Sequence, residues 1–289
     1  MRRPFALAVC LLGTAACARG SGPAPTAPAA TAPSPPAAAP ADATSLRYTS
    51  STSRYRIETQ QHTEQEMMGN STVIDATVMQ LLTVTLAPQA DGLALTVMVD
   101  SVGLTTTAPG GEAAAAAAAA AMTGKRFTGS VTPAGRVTAL SSPDSATEQV
   151  AQMMNGVRAL LPELPGGTFA TGREWIDTVS TTTTLGPLNM TTRAIRTHRV
   201  AGWEARDGAR ALHLTTQSAY TVSGAGEAQG TPLEMAGAGR STSDRYVSAT
   251  GVFLGGTESD SAEINVNVVS MGMSIPVRRS QRATITRLP

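Results

Sequence analysis

The chain has 289 residues, a formal net charge of +1 and an aromatic content of 3%. That balance does not suit nucleic acid, whose binders need a basic face for phosphates and rings for base stacking. The single lysine, Lys125, lies in a Gly-Lys-Arg turn signal with no serine suitably placed before it, so Schiff-base and Ser-Lys chemistry lack a candidate.

Residues 1–16 read as an export signal: Arg2 and Arg3, an apolar run over 5–12, then Gly13-Thr14-Ala15-Ala16 before Cys17. The run is too short for a transmembrane helix, which needs roughly 20 apolar residues. Ala15-Ala16-Cys17 resembles the bacterial lipobox, with Thr14 where leucine is usual, and the resemblance implies acylation of Cys17 after cleavage. Cys10 would leave with the signal, making Cys17 the lone cysteine of the mature chain. Exported proteins normally pair their cysteines, so an acylation site is the expected role. The alternative is soluble export with a cut after Ala18, because Ala16-Cys17-Ala18 also satisfies the small-x-small rule. Ala18 is not the aspartate that retains lipoproteins at the inner membrane of enteric bacteria. By resemblance, then, the expected address is the outer membrane, facing the periplasm. Residues 17–44 are rich in Ala and Pro and hold no large apolar side chain to offset the entropy of ordering, so a disordered linker is expected.

One β-rich domain is expected over 45–289. Period-2 alternation, Thr and Ser on one face and aliphatics on the other, runs through Leu82, Val84 and Leu86, then Leu93, Leu95, Val97 and Val99 across a turn at 88–92. Further hairpins are expected around Pro133-Ala134-Gly135, Asp207-Gly208 and Ala249-Thr250-Gly251, with later strands over 263–269 and 282–288. The Gly-rich pieces Gly224-Ala225-Gly226 and Gly237-Ala238-Gly239 read as loops. The predicted fold is mainly β (α+β): a curved antiparallel meander of about ten strands with one amphipathic helix packed on the sheet. The Asp91-Gly92 and Gly135 turns recur at one common spacing as Asp207-Gly208 and Gly251, which raises two pseudo-repeated halves, 46–141 and 173–288, against chance spacing.

The helix is predicted over 143–161, joining those halves: Ser142 caps it, Pro143 opens it, Asp144 complements its dipole and Pro162 ends it. Val150, Met153, Met154, Val157, Leu160 and Leu161 form its apolar stripe. The alanine run 113–121 is a second, marginal helix, read as a small insertion in a loop.

Leu161-Pro162-Glu163-Leu164-Pro165, then Gly172-Arg173-Glu174-Trp175, following a helix and leading into a Thr-rich meander, resembles a family of bacterial envelope lipoproteins of unknown function. The resemblance covers 46–288 and brings no catalytic residues with it. A more distant likeness, of architecture alone, is to periplasmic carriers of lipoproteins and lipids.

No catalytic or metal-ligating constellation stands out, and no cofactor is expected. His62, Glu64 and Glu66 alternate along one strand face, a spacing that can grip a metal or simply line a solvated surface. A two-residue turn at Asp207-Gly208 pairs His213 with Gly202 and His198 with Gln217, so those histidines do not face each other. Trp175 and Trp203, each near a glycine, fit a core or sheet-edge role better than ligand stacking.

Two functions from different classes fit these observations. One is a non-catalytic lipoprotein, tied to the membrane by its lipid, that holds an apolar or lipid-like ligand against Val150, Met153, Met154, Val157 and Leu161. The other is an interaction lipoprotein with a filled core that docks an envelope protein. A hydrolase is a distant third.

Overall fold

Alternating side chains need a sheet with one wet face and one dry one, and the chain builds a single such sheet. The computed structural model describes residues 46–67, 69–142, 148–167, 169–185, 188–228 and 230–289. The signal, Cys17, the linker and the predicted helix opening at Pro143 and Asp144 lie outside the described residues, whereas Ser142, the predicted cap, is described and buried. The strands are β1 (Ser51–Met67), β2 (Asn70–Gln89), β3 (Gly92–Thr106), β4 (Arg126–Val131), β5 (Val137–Ser141), β6 (Glu174–Leu185), β7 (Leu188–Arg206), β8 (Ala209–Ala228), β9 (Thr231–Ser248), β10 (Phe253–Val268) and β11 (Met273–Leu288). Helix α1 (Gly111–Met122) lies between β3 and β4, and α2 (Glu148–Arg158) between β5 and β6.

The eleven strands form one antiparallel sheet in the order β5-β4-β3-β2-β1-β11-β10-β9-β8-β7-β6. The antiparallel meander is as predicted, with β1 and β6 added to the expected hairpins and the segments expected at 252–256 and 263–269 joined in β10. β1 pairs with β11, Thr59 opposite Ala283, so the first and last strands meet in mid-sheet while β5 and β6 form its edges. The crossover carrying α2 links those edges. Curvature follows from what shares a chamber: Val102 of β3 and Arg245 of β9 line the same one, though they stand five strands apart. At about 4.8 Å per strand a flat sheet would hold them more than 20 Å apart.

The inner face is buried in three zones. At the end carrying the turns after β2, β4, β7 and β9, Leu82, Val97, Val99, Phe127, Val200, Leu212 and Val247 form the larger core, on which Val150 and Val157 of α2 pack. At the opposite end Leu233, Met235, Ile264, Val266, Ile275 and Val277 form a second core. Between them runs a polar belt that includes Arg245 and Arg279, both buried. The outer face carries exposed charge, as at Glu263, Arg278, Arg193 and Arg199.

The segment 46–49 ties the turn-bearing end together. Tyr48 is buried and donates its hydroxyl to Pro162 O at 2.9 Å, while its backbone N–H donates to Pro133 O at 2.8 Å and that of Thr49 to Gly251 O at 3.2 Å. Leu164 N–H closes the knot on Ala134 O at 2.7 Å. Gly135 and Gly251, with φ of 92° and 80°, are required here both for the turn and for space: a Cβ on Gly135 would strike the Tyr48 ring, and one on Gly251 the carbonyl of Arg47.

Three expectations need correction. The α2 helix ends at Arg158 and not at Leu161. Its last turn tightens, Leu160 N–H reaching Val157 O at 3.3 Å, because Pro162 disfavours helical geometry just before it; Leu160 and Leu161 are buried by the turn instead. The glycine pieces at 224–226 and 237–239 lie in β8 and β9. Glycine there makes room, since a Cβ on Gly239 would overlap the Tyr220 ring and one on Gly237 would meet Ile264. Finally, His198 pairs with Thr216 rather than Gln217: a bulge between Val200 and Gly202 places one extra residue in β7 and shifts the register by one. The pairing of His213 with Gly202 stands.

Candidate binding chambers

Two adjoining chambers lie on the inner face. The first, of about 230 Å³, sits between the sheet and the helices and is walled mainly by Ile57, Val78, Val102, Leu104, Met122, Met153, Val157 and Ile285. The alanine helix is thus more than a loop insertion: Ala118, Ala119 and Met122 form one wall. Alanine leaves the space beside α1 open, as does Gly156 of α2, where an added Cβ would meet nothing within 4 Å.

The five predicted lining residues divide. Met153 and Val157 face the apolar chamber, and Leu161 borders the second one. Val150 is buried in the core and Met154 packs partly buried against it; neither lines a chamber. Helical spacing put all five on one stripe, but a stripe of this width has a centre over the sheet and a margin over the chamber.

The second chamber, of about 240 Å³, is polar and lies over β6 to β10, with Trp175, His198, Thr216, Ser218, Ser241 and Ser243 in its wall. Arg245, Glu258 and Gln281 border both chambers. Arg245 donates to Glu258 Oε2 at 2.7 Å and to Thr257 O at 3.2 Å, so this buried guanidinium is neutralised and held in place. Beyond it Asp260 accepts from Arg279 at 2.6 Å and from the Tyr220 hydroxyl at 2.7 Å; burial first, and then the Asp260 charge, push the tyrosine pKa well up.

The strand register explains how residues so distant in sequence meet. One lateral row of inward-facing positions runs Trp175, His198, Thr216, Ser243, Glu258, Ala283, Thr59, Val78 and Leu104 from β6 to β3. The row is aromatic and polar at the β6 side and aliphatic at the β3 side.

Within this row the His198 ring stacks on Trp175 at 4.9 Å and 12°. Its Nδ1 lies 2.9 Å from Thr216 Oγ1, and its Nε2 lies 3.3 Å from Asp177 Oδ1. That carboxylate oxygen is shut off from solvent and makes no hydrogen bond of acceptable geometry. Desolvation holds the His198 pKa below its usual value, and the Asp177 charge opposes the shift without cancelling it. His62 is different: on the exposed face it contacts Asp75 at 2.7 Å and Glu64 at 3.3 Å, which raise its pKa. Among the described residues no group of three His, Cys, Asp or Glu is placed to hold a metal ion.

Trp203 packs partly buried on the larger core, and Trp175 does so while also bordering the polar chamber. Gly172, whose N–H donates to Val200 O at 2.8 Å, ends the crossover and Glu174 starts β6.

No family model matches the sequence, and no curated protein matches it. The resemblance to envelope lipoproteins therefore rests on its short motifs alone. Among solved structures, Neisserial surface protein A is similar at 7% identity over 82% of this chain and 98% of that one, with a TM-score of 0.22. OccK2 (OpdF) of Pseudomonas aeruginosa is similar at 8% identity over 82% and 98%, with a TM-score of 0.28. A mutant of Rh. blastica porin follows at 8% over 81% and 100%, with a TM-score of 0.23. At such scores the likeness goes no further than antiparallel β structure. The two apolar cores lie on the inner face, and the outer face carries Arg193, Arg199, Glu263 and Arg278 beside the exposed Val73, Met79, Ile176 and Ile195.

Proposed function

We propose that the chain is an exported envelope lipoprotein, acylated at Cys17, whose β domain holds an apolar chain beneath α1 and α2 without catalysing a reaction. The apolar chamber of about 230 Å³ carries this reading. A cavity of about 150 Å³ lined by aliphatic side chains already holds benzene. A space larger than that, kept open by alanines and a glycine under an otherwise packed helix, is better suited to a ligand than to a filled core.

His198, Thr216 and Asp177 resemble a nucleophile with its base, but their setting favours positioning instead. Thr216 stands mid-strand, paired to His198 on one side and Ser243 on the other, so the neighbouring amides serve the sheet and none is available to stabilise an oxyanion. Ala18, in place of the inner-membrane retention aspartate, supports the outer membrane as the site of anchoring.

Native mass spectrometry of the mature protein before and after delipidation tests the reading. A releasable mass beyond the covalent lipid, and uptake of an apolar probe by the delipidated protein, are expected. An unchanged mass with no uptake would leave the protein-docking alternative in its place, and a mature N-terminus beginning after Ala18 would remove the anchor.

A further inference from the structure

The two chambers share Arg245, Glu258 and Gln281, and one strand row crosses both, so whatever lies in the first abuts the second. Their walls differ in chemistry along that row: Val78 and Leu104 at one side, Ser243, Thr216 and His198 at the other. A ligand lying across the strands would meet hydrocarbon first and hydroxyls next.

The polar chamber's charge decides what kind of head group it suits. Arg136 is ion-paired to Glu163, and Arg245 to Glu258. Asp260 is held by Arg279, and Asp177 stands in register opposite Arg196. The buried charges of this wall are thus matched; the further cation, Arg158, is exposed and donates to Asn155 Oδ1 at 3.2 Å. A charged head reaching Arg245 or Asp260 would have to displace an existing partner, at the cost of leaving a buried charge uncompensated. What the wall offers is hydroxyls from Ser218, Ser241 and Ser243, together with Asp177 Oδ1, whose nearest donor, His198 Nε2 at 3.3 Å, does not make a well-aimed hydrogen bond.

We propose that the two chambers form one site for an amphiphile, its alkyl chain beneath α1 and α2 and its uncharged, hydroxyl-rich head group donating to Asp177 and hydrogen-bonded to Ser218, Ser241 and Ser243. The proposal rests on the apolar-chain reading above and adds the identity of the head. A sugar or polyol head meets both needs, because each hydroxyl donates and accepts.

The test is calorimetric titration of the mature chain, with Cys17→Ser and all other residues in place, against three eight-carbon amphiphiles below their micelle concentrations: n-octyl β-D-glucoside, octyl phosphate and octyltrimethylammonium. N-phenyl-1-naphthylamine fluorescence reports the apolar chamber separately. The glucoside is expected to bind at least tenfold tighter than either charged analogue. Ser218→Val with Ser243→Val should remove about tenfold of that affinity while dye binding holds, and Asp177→Asn should lower it in the same direction. Equal or tighter binding of a charged analogue overturns the head-group assignment, as does full glucoside affinity in the variants. That comparison on the unaltered domain stands whether or not the variants fold. Failure of all three amphiphiles and of the dye would overturn the apolar-chain reading itself, so the two failures are distinct.

Discussion

Gly156→Leu should raise stability and abolish binding together. Gly156 belongs to α2 and borders the apolar chamber, and a Cβ there would meet nothing within 4 Å. Replacing glycine in a helix interior recovers close to 1 kcal/mol of helix propensity, roughly 0.8 kcal/mol for leucine. Each methylene taken from water adds about 0.8 kcal/mol, and a side chain that only half fills the chamber adds roughly 1 to 1.5 kcal/mol. The sum is about 2 kcal/mol, which for a domain of this size is a rise in Tm of roughly 4 to 8 °C. Calorimetry measures the first effect and octyl glucoside titration the second, with a fall in affinity of tenfold or more expected. Gly156→Ala separates the contributions, giving the propensity gain with the chamber still open. A fall in Tm on introducing leucine would mean that the space is already closed by its neighbours and the side chain overpacks it. A rise in Tm with unchanged affinity would mean that the ligand lies elsewhere; either result refutes the reasoning.

Two further predictions concern the polar side and the knot at the turns. Burial holds the His198 pKa below its unfolded value of about 6.5. Its neutral form therefore supports the fold fully above that pH, and the contribution is lost as pH falls through the lowered folded value. Urea unfolding at about pH 7.5 and pH 5 should show His198→Gln losing less stability on acidification than the parent; an equal loss would contradict the burial effect. Tyr48→Phe deletes the hydroxyl that satisfies Pro162 O and should cost about 1 to 2 kcal/mol by denaturant midpoint, with limited proteolysis cutting first in the 159–167 crossover; an unchanged midpoint would show that the knot does not hold the crossover.

The alternation of Thr and Ser with aliphatics made the meander legible, because a half-buried strand has no other way to satisfy both faces. Of β1 only the strand face of His62, Glu64 and Glu66 was legible, and its extent was not. Its inward positions include Thr59, Gln61 and Thr63, so little hydrophobic contrast separates its two faces. The apolar stripe of α2 was visible from residue spacing, yet its end was placed too late, since Leu160 and Leu161 continue the rhythm while buried by the turn. The polar chamber was out of reach. One bulged residue in β7 puts Thr216 beside His198, and the row joins Thr59 to Ala283 across more than two hundred positions. Nothing local in either segment marks the other as its neighbour. Five stripe residues were proposed as lining, and the structure places Met153 and Val157 at the apolar chamber, Leu161 at the polar one, and Val150 and Met154 in packing.

The meeting of β1 with β11 in mid-sheet bears on the export proposed above. Until its final strand is available, β1 to β5 and β6 to β10 are two separate sheets, each with an unmatched edge where the other should be. The seam that joins them is among the longest-range contacts in the protein, and contacts of that kind slow folding because a large loop must close before they form. A nascent chain built this way cannot close its seam while it is still emerging, and for an exported chain the full sheet would then form only after crossing. The same seam carries a hazard, because β11 of one molecule could complete the sheet of another, and crowding would favour such exchange.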